Sequence, residues 1–178
     1  MNKQEIKYQL SSRYQSFADY MRSLNQSDFL FSFQNKWTAG QQLDHICRAT
    51  APLPLGLSLP KIITRLFFGI ANRPSSAYGD LVKKYIGHLE QGAKASRMYI
   101  PNKIELGNRE KLISRLLTTV SKVNTALDHF TEDDLDQSVL PHPILGKLTV
   151  REMMYFTIYH VDHHKEKTIE NLEAGRRA

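Results

Sequence analysis

Cysteine is almost absent from this chain. A single residue, Cys47, among 178 excludes an internal disulfide framework and fits a reducing compartment, so a cytoplasmic address is expected. Long apolar runs are missing too. The longest apolar region, Leu53 to Ile70, is interrupted by Pro54, Gly56, Pro60, Lys61 and Arg65. It falls short of the roughly 20 continuous apolar residues that a membrane-spanning helix needs. The amino terminus, MNKQEIKYQL, mixes charge and polarity and lacks the apolar centre of a secretory signal. There is no internal repeat and no low-complexity tract, and hardly any segment alternates as a half-buried strand would. Acidic residues are outnumbered, giving a net charge of +6. The basic residues are nevertheless dispersed, as Lys83, Lys84, Arg97, Arg176 and Arg177 illustrate, and no aromatic-interleaved RNA motif accompanies them. Nucleic acid is therefore not an expected partner.

What the chain does have is helical periodicity. Ile6, Leu10, Tyr14, Phe17 and Met21 form one stripe over about Lys3 to Leu24. A second helix is expected from Thr38, whose hydroxyl can cap the first amides while Gln41 reaches back, to about Ala51 before Pro52. Leu112, Leu116, Val120, Val123 and Leu127 mark a third, from about Asn108 to Phe130. A fourth starts near Thr149, with Thr149 and Glu152 as a cap pair, runs to about Leu172, and has Gly175 as its expected stop. Between the second and third lies a connection too long for a simple loop, about residues 52–107. It carries shorter helical pieces at about Lys61 to Ile70 and Asp80 to Gln91. The expectation is an all-α single domain, residues 1–178: a four-helix bundle whose long helical insertion folds across it and roofs a pocket.

Three of the seven histidines crowd into Tyr159-His160-Val161-Asp162-His163-His164. His160 and His164, four apart, share one helix face and can reach a common ion. A pair at that spacing arises in about a quarter of shuffled chains of this composition, so spacing alone decides little. Phase adds to it. Val150, Met154, Thr157, Val161, Thr168 and Leu172 define the inward stripe, with His164 and His160 about 40° and 80° from Val150 and His163 about 140° from it. The pair borders the core, and His163 is expected to face solvent. A zinc-protease motif is excluded, because Val161 stands where that chemistry needs a glutamate base. A site with an open position needs a third protein ligand. His142 lies between two prolines and reads as a loop residue, His129 as a cation at a helix end, and His88 has no evident partner. His45, two turns into the second helix, lies at a depth like that of the pair and is the choice, although its wheel position is about 160–200° from the stripe of Leu43, Ile46, Cys47 and Thr50.

Trp37-Thr38-Ala39-Gly40-Gln41-Gln42-Leu43-Asp44-His45, then His142-Pro143-Ile144-Leu145-Gly146-Lys147-Leu148-Thr149-Val150-Arg151-Glu152 and His160-Val161-Asp162-His163-His164, resemble the DinB-like superfamily over both halves of the chain. The resemblance implies a four-helix bundle that binds a divalent ion, often zinc or nickel, through His45, His160 and His164. It also implies an enzyme that activates a low-molecular-weight thiol for S-transfer to a small-molecule substrate. The alternatives are metal-dependent hydrolysis of small esters or amides, and a non-catalytic homodimeric binding module with a vestigial site. Asp44, Asp162 and His163 are candidate bases whose helical phases do not converge, and no catalytic residue is assigned. Lys165-Glu166-Lys167-Thr168 and the long 52–107 connection depart from the family pattern.

Overall fold

A computed structural model describes residues 1–177. In chain order the elements are α1 (Lys3–Ser23), α2 (Gln26–Leu30), α3 (Ala39–Thr50), α4 (Leu53–Ser58), α5 (Lys61–Phe68), α6 (Tyr78–Glu90), α7 (Arg109–Leu127), α8 (Glu132–Gln137), β1 (Val139–His142), β2 (Gly146–Thr149) and α9 (Val150–Arg177). Single 3₁₀ turns occupy Arg97–Tyr99 and Leu106–Asn108. The chain is mostly helical.

Apolar periodicity explains the main packing. Ile6, Leu10, Tyr14, Phe17 and Met21 are fully buried where α1 meets α7 and α9. α3 lies against the same two helices. At roughly 1.5–3 kcal/mol for each large apolar side chain withdrawn from water, these stripes supply much of the driving force for assembly. The α7 stripe enters the core through Ile113 rather than Leu112, which is only half-buried. From Leu116 onward it follows the spacing read from the sequence.

Helix starts follow the cap chemistry. Thr38 Oγ1 accepts from the Gln41 amide at 3.1 Å, and Gln41 Oε1 accepts from the Thr38 amide at 3.1 Å. Thr149 and Glu152 exchange the same pair of bonds at 3.1 and 3.0 Å. Gly175 does not stop α9, which continues to Arg177. Its lack of a side chain serves packing instead: a Cβ there would lie 2.0 Å from Cζ of Phe31.

The sequence reading anticipated no sheet. β1 and β2 form an antiparallel hairpin in which Val139 pairs with Thr149 and His142 with Gly146. Gly146 supplies the positive φ, +76°, that the tight connection requires. The segment from Pro52 to Gly107 wraps the helices. α4 rests on α7, α5 on β1 and α6 on α9, and the Arg97–Tyr99 turn returns to α3. Arg73 and Ser76 of this segment are tied to the start of α9 through Glu152, a fully buried carboxylate. Glu152 accepts from both terminal guanidinium nitrogens of Arg73, at 2.5 and 2.9 Å, and from the Ser76 amide at 2.7 Å. Burial alone would raise its pKa, but the guanidinium and the backbone amides prevail and hold it at about 2.

Candidate metal centre

His160 and His164 project from consecutive turns of α9 with their Nε2 atoms 3.0 Å apart. His45 reaches them from α3, its Nε2 3.3 Å from that of His160. The three rings are buried, at 5%, 5% and 7% exposure for His45, His160 and His164. One nitrogen from each lies within 4.8 Å of the others.

The far edges of two rings fix their tautomers. His45 Nδ1 stands 2.7 Å from the carbonyl oxygen of Tyr99. A carbonyl only accepts, so that nitrogen holds the proton and Nε2 is left with a bare lone pair. His164 Nδ1 donates to Gln42 Oε1 at 2.5 Å, which bares its Nε2 in the same way. A proton on His160 Nε2 can satisfy only one of the two. Burial, followed by the neighbouring histidines, drives the pKa of His160 and of His164 well below 6.5. Burial also lowers that of His45, against the opposing pull of the Tyr99 carbonyl and Asp44. All three imidazoles are thus neutral at pH 7, and His45 and His164 turn bare Nε2 lone pairs toward His160 Nε2, which can offer its own once the proton of that ring sits on Nδ1. This donor set fits a divalent ion held by three nitrogens with a position left open, and the Tyr99 and Gln42 oxygens are the orienting partners that such ligands need.

The wheel placed His45 on the exposed side of its helix. It is buried because the segment from Pro52 to Gly107 covers that side: the Tyr99 turn lies over the ring, and the Trp37 ring stands 5.0 Å from it. His163, expected in solvent, is half-buried and borders the same cavity, with Tyr85 and Tyr159 rings at 6.3 and 5.8 Å. His142 is no loop residue. It ends β1, is buried, and faces Phe156 edge-on at 4.2 Å. His129 is exposed, and His88 is half-buried on α6. Of the candidate bases, Asp44 is spent on Arg48 and the Asn102 amide, at 2.8 and 2.9 Å, and Asp162 pairs with Arg13 at 3.4 Å.

The triad forms part of the wall of a cavity of about 240 Å³. Trp37, Leu53, Tyr85, Ile144, Met153 and Phe156 give the wall its apolar and aromatic character, and among the described residues no carboxylate lines it. Sequence reasoning missed Gln42, the Tyr99 carbonyl and the place of His142 in this wall. No local spacing marks Gln42 or the Tyr99 carbonyl as partners of a histidine, and the strands on either side of the turn at His142 are too short to show alternation.

The model of the DinB superfamily matches residues 9–167. The chain belongs to the DinB superfamily. Searches of curated proteins and of solved structures returned no match.

Proposed function

We propose that this protein is a metal-dependent enzyme in which His45, His160 and His164 hold one divalent ion, zinc or nickel, and that it transfers a low-molecular-weight thiol to a small electrophile. In this reading α1, α3, α7 and α9 form a four-helix bundle within a single domain, residues 1–178, with about 52–107 as its insertion, at a cytoplasmic address. The observation that carries it is the convergence of three neutral imidazoles on a cavity that, among the described residues, no carboxylate lines. Neutral ligands leave the charge of a divalent ion uncompensated, and an anion is then the favoured companion. When bound, such an ion acidifies a thiol or a water at its open position. Tyr99 and Gln42 hold two ligand rings in the required tautomer, while Trp37, Tyr85 and Phe156 exclude bulk water and receive an apolar reactant.

Hydrolysis of small esters or amides is the runner-up. It gains less support because a positioned base is wanted for water, and Asp44 and Asp162 are engaged elsewhere. The test is elemental analysis of untagged protein, followed by conjugation of glutathione, cysteine and other small thiols to monobromobimane. About one zinc or nickel per chain is expected, with conjugation faster than the uncatalysed rate and abolished by chelation. Absence of bound metal would sink the reading, whereas bound metal with ester cleavage but no thiol transfer would favour the hydrolase.

A third reading, a homodimeric binding module with a vestigial site, draws on α5, where Ile62, Leu66 and Phe67 are 77%, 81% and 73% exposed. Sedimentation of wild type and Leu66→Asp, with and without anionic liposomes, tests it. A monomer that ignores liposomes removes it.

A further inference from the structure

The turn of the hairpin prepares one more histidine. His142 Nδ1 accepts from the backbone amides of Ile144 and Leu145, at 3.2 and 3.0 Å. A nitrogen that accepts carries no proton, so the single proton of the neutral ring sits on Nε2. Burial lowers the ring's pKa to about 4, which keeps this tautomer across the physiological range. Among the described residues, the fully enclosed side-chain nitrogens and oxygens without a partner belong to Arg109, Asn124 and Ser138. His142 Nε2 is not one of them, and no described residue accepts from it. The ring borders the cavity that the triad also lines, separated from His160 by the Phe156 ring, which stacks on His160 at 4.7 Å.

We infer that His142 is a specificity-determining hydrogen-bond donor, whose Nε2–H receives the neutral carbonyl oxygen of a compact, largely apolar ligand. The ligand class follows from the wall. With no acidic, lysine or arginine side chain among the residues that line the cavity, a charged ligand group has no counter-ion away from the triad. A neutral oxygen can be satisfied by one fixed N–H, and the surrounding aromatic rings match an aryl or alkyl body. A donor whose direction is set by two backbone amides loses no rotamer freedom when it binds, so it discriminates against molecules that lack the oxygen. The inference rests on the proposed function only in taking the ketone-like molecule as the electrophilic reactant.

The test compares acetophenone with its near-isostere α-methylstyrene, which lacks the oxygen, in zinc-loaded and in chelator-treated protein. Imidazole ¹⁵N spectra of the wild type are expected to show His142 protonated at Nε2, with that resonance moving on addition of acetophenone and not of α-methylstyrene. Acetophenone is expected to bind about fivefold more tightly, the contribution of one net hydrogen bond. His142→Asn keeps an acceptor for the Ile144 and Leu145 amides but has no donor at the Nε2 position, and it should abolish the preference. His142→Gln places an amide N–H there and should restore much of it. Both should keep the zinc content of the wild type. A proton found on Nδ1, equal binding of the two probes, or no binding of either at millimolar concentration overturns the inference. Zinc content measured on the same samples reports on the metal reading separately, so either can fail while the other stands.

Discussion

The Nδ1 of His45 donates to the carbonyl oxygen of Tyr99 at 2.7 Å, so a ring on α3 is oriented by backbone from the connection between α6 and α7. Because the acceptor is main chain, the position of that segment controls the ring. Gly40 lets it approach: a Cβ at 40 would lie 2.8 Å from Cε1 of Phe29, 3.0 Å from Cβ of Ile104 and 3.1 Å from the Ile104 carbonyl oxygen. Gly40→Ala should therefore destabilise the fold by about 1–3 kcal/mol. It should also weaken zinc binding although it touches no histidine. Denaturant unfolding and competition with a chromophoric chelator check the two effects. Unaltered zinc affinity would mean that the Tyr99 turn adapts without moving the ring.

Gln42 gives His164 its acceptor for Nδ1. Gln42→Ala is expected to lower metal affinity by about 10- to 100-fold, as the loss of an outer-shell partner does elsewhere. Unfolding of the metal-free protein should change far less. A chelator competition curve that overlays the wild type would exclude an orienting role for the amide.

The half-buried His163 separates ligation from mere membership of the cavity wall. Alanine at 45, 160 or 164 should each take zinc content from about one per chain to near zero after dialysis. Alanine at 163 should leave most of it. Equal losses in all four variants would mean that cavity collapse, not coordination, governs retention.

Acid should destabilise the metal-free protein in two stages. His142 is held at about 4 in the fold against 6.5 when unfolded. The unfolded chain therefore binds more protons between those values, and stability falls as pH drops from 6.5 toward 4, by up to roughly 3 kcal/mol. Glu152, held at about 2 in the fold against 4.5 when unfolded, contributes stability that is intact above 4.5 and disappears as pH falls through 2. Urea midpoints measured from pH 8 to pH 3 should decline in the first window, with a shallower slope in His142→Asn. Glu152→Gln should flatten the second window. Midpoints unchanged between pH 6.5 and 4.5 would contradict the burial argument for His142.

Much of the helical architecture was legible because burial in a helix leaves a periodic trace. The α1 stripe from Ile6 to Met21 and the cap pairs at Thr38 and Thr149 are local patterns, and each recurs in the structure as read. The hairpin was not. His142-Pro143 sits where β1 ends, and four-residue strands leave no alternation long enough to register. Gly175 misled because glycine at a helix end and glycine under an aromatic ring look alike in a one-dimensional pattern. His45 and His163 were misjudged by the wheel for a common reason: the wheel knows only the helix's own apolar side, while Tyr99, Trp37 and Tyr85 arrive from elsewhere in the chain.

By itself the sequence determined the four long amphipathic segments, their starts, and the placing of His160 and His164 on one helix face, since these depend on contacts within about four residues. Only the tertiary structure decided that a ring 115 residues away meets that pair, that the Tyr99 carbonyl and Gln42 fix two tautomers, and that His142 shares the cavity wall. Those outcomes turn on the path of the segment from Pro52 to Gly107 across α3 and α9. Distances between remote segments follow from packing the whole core, which no local spacing encodes.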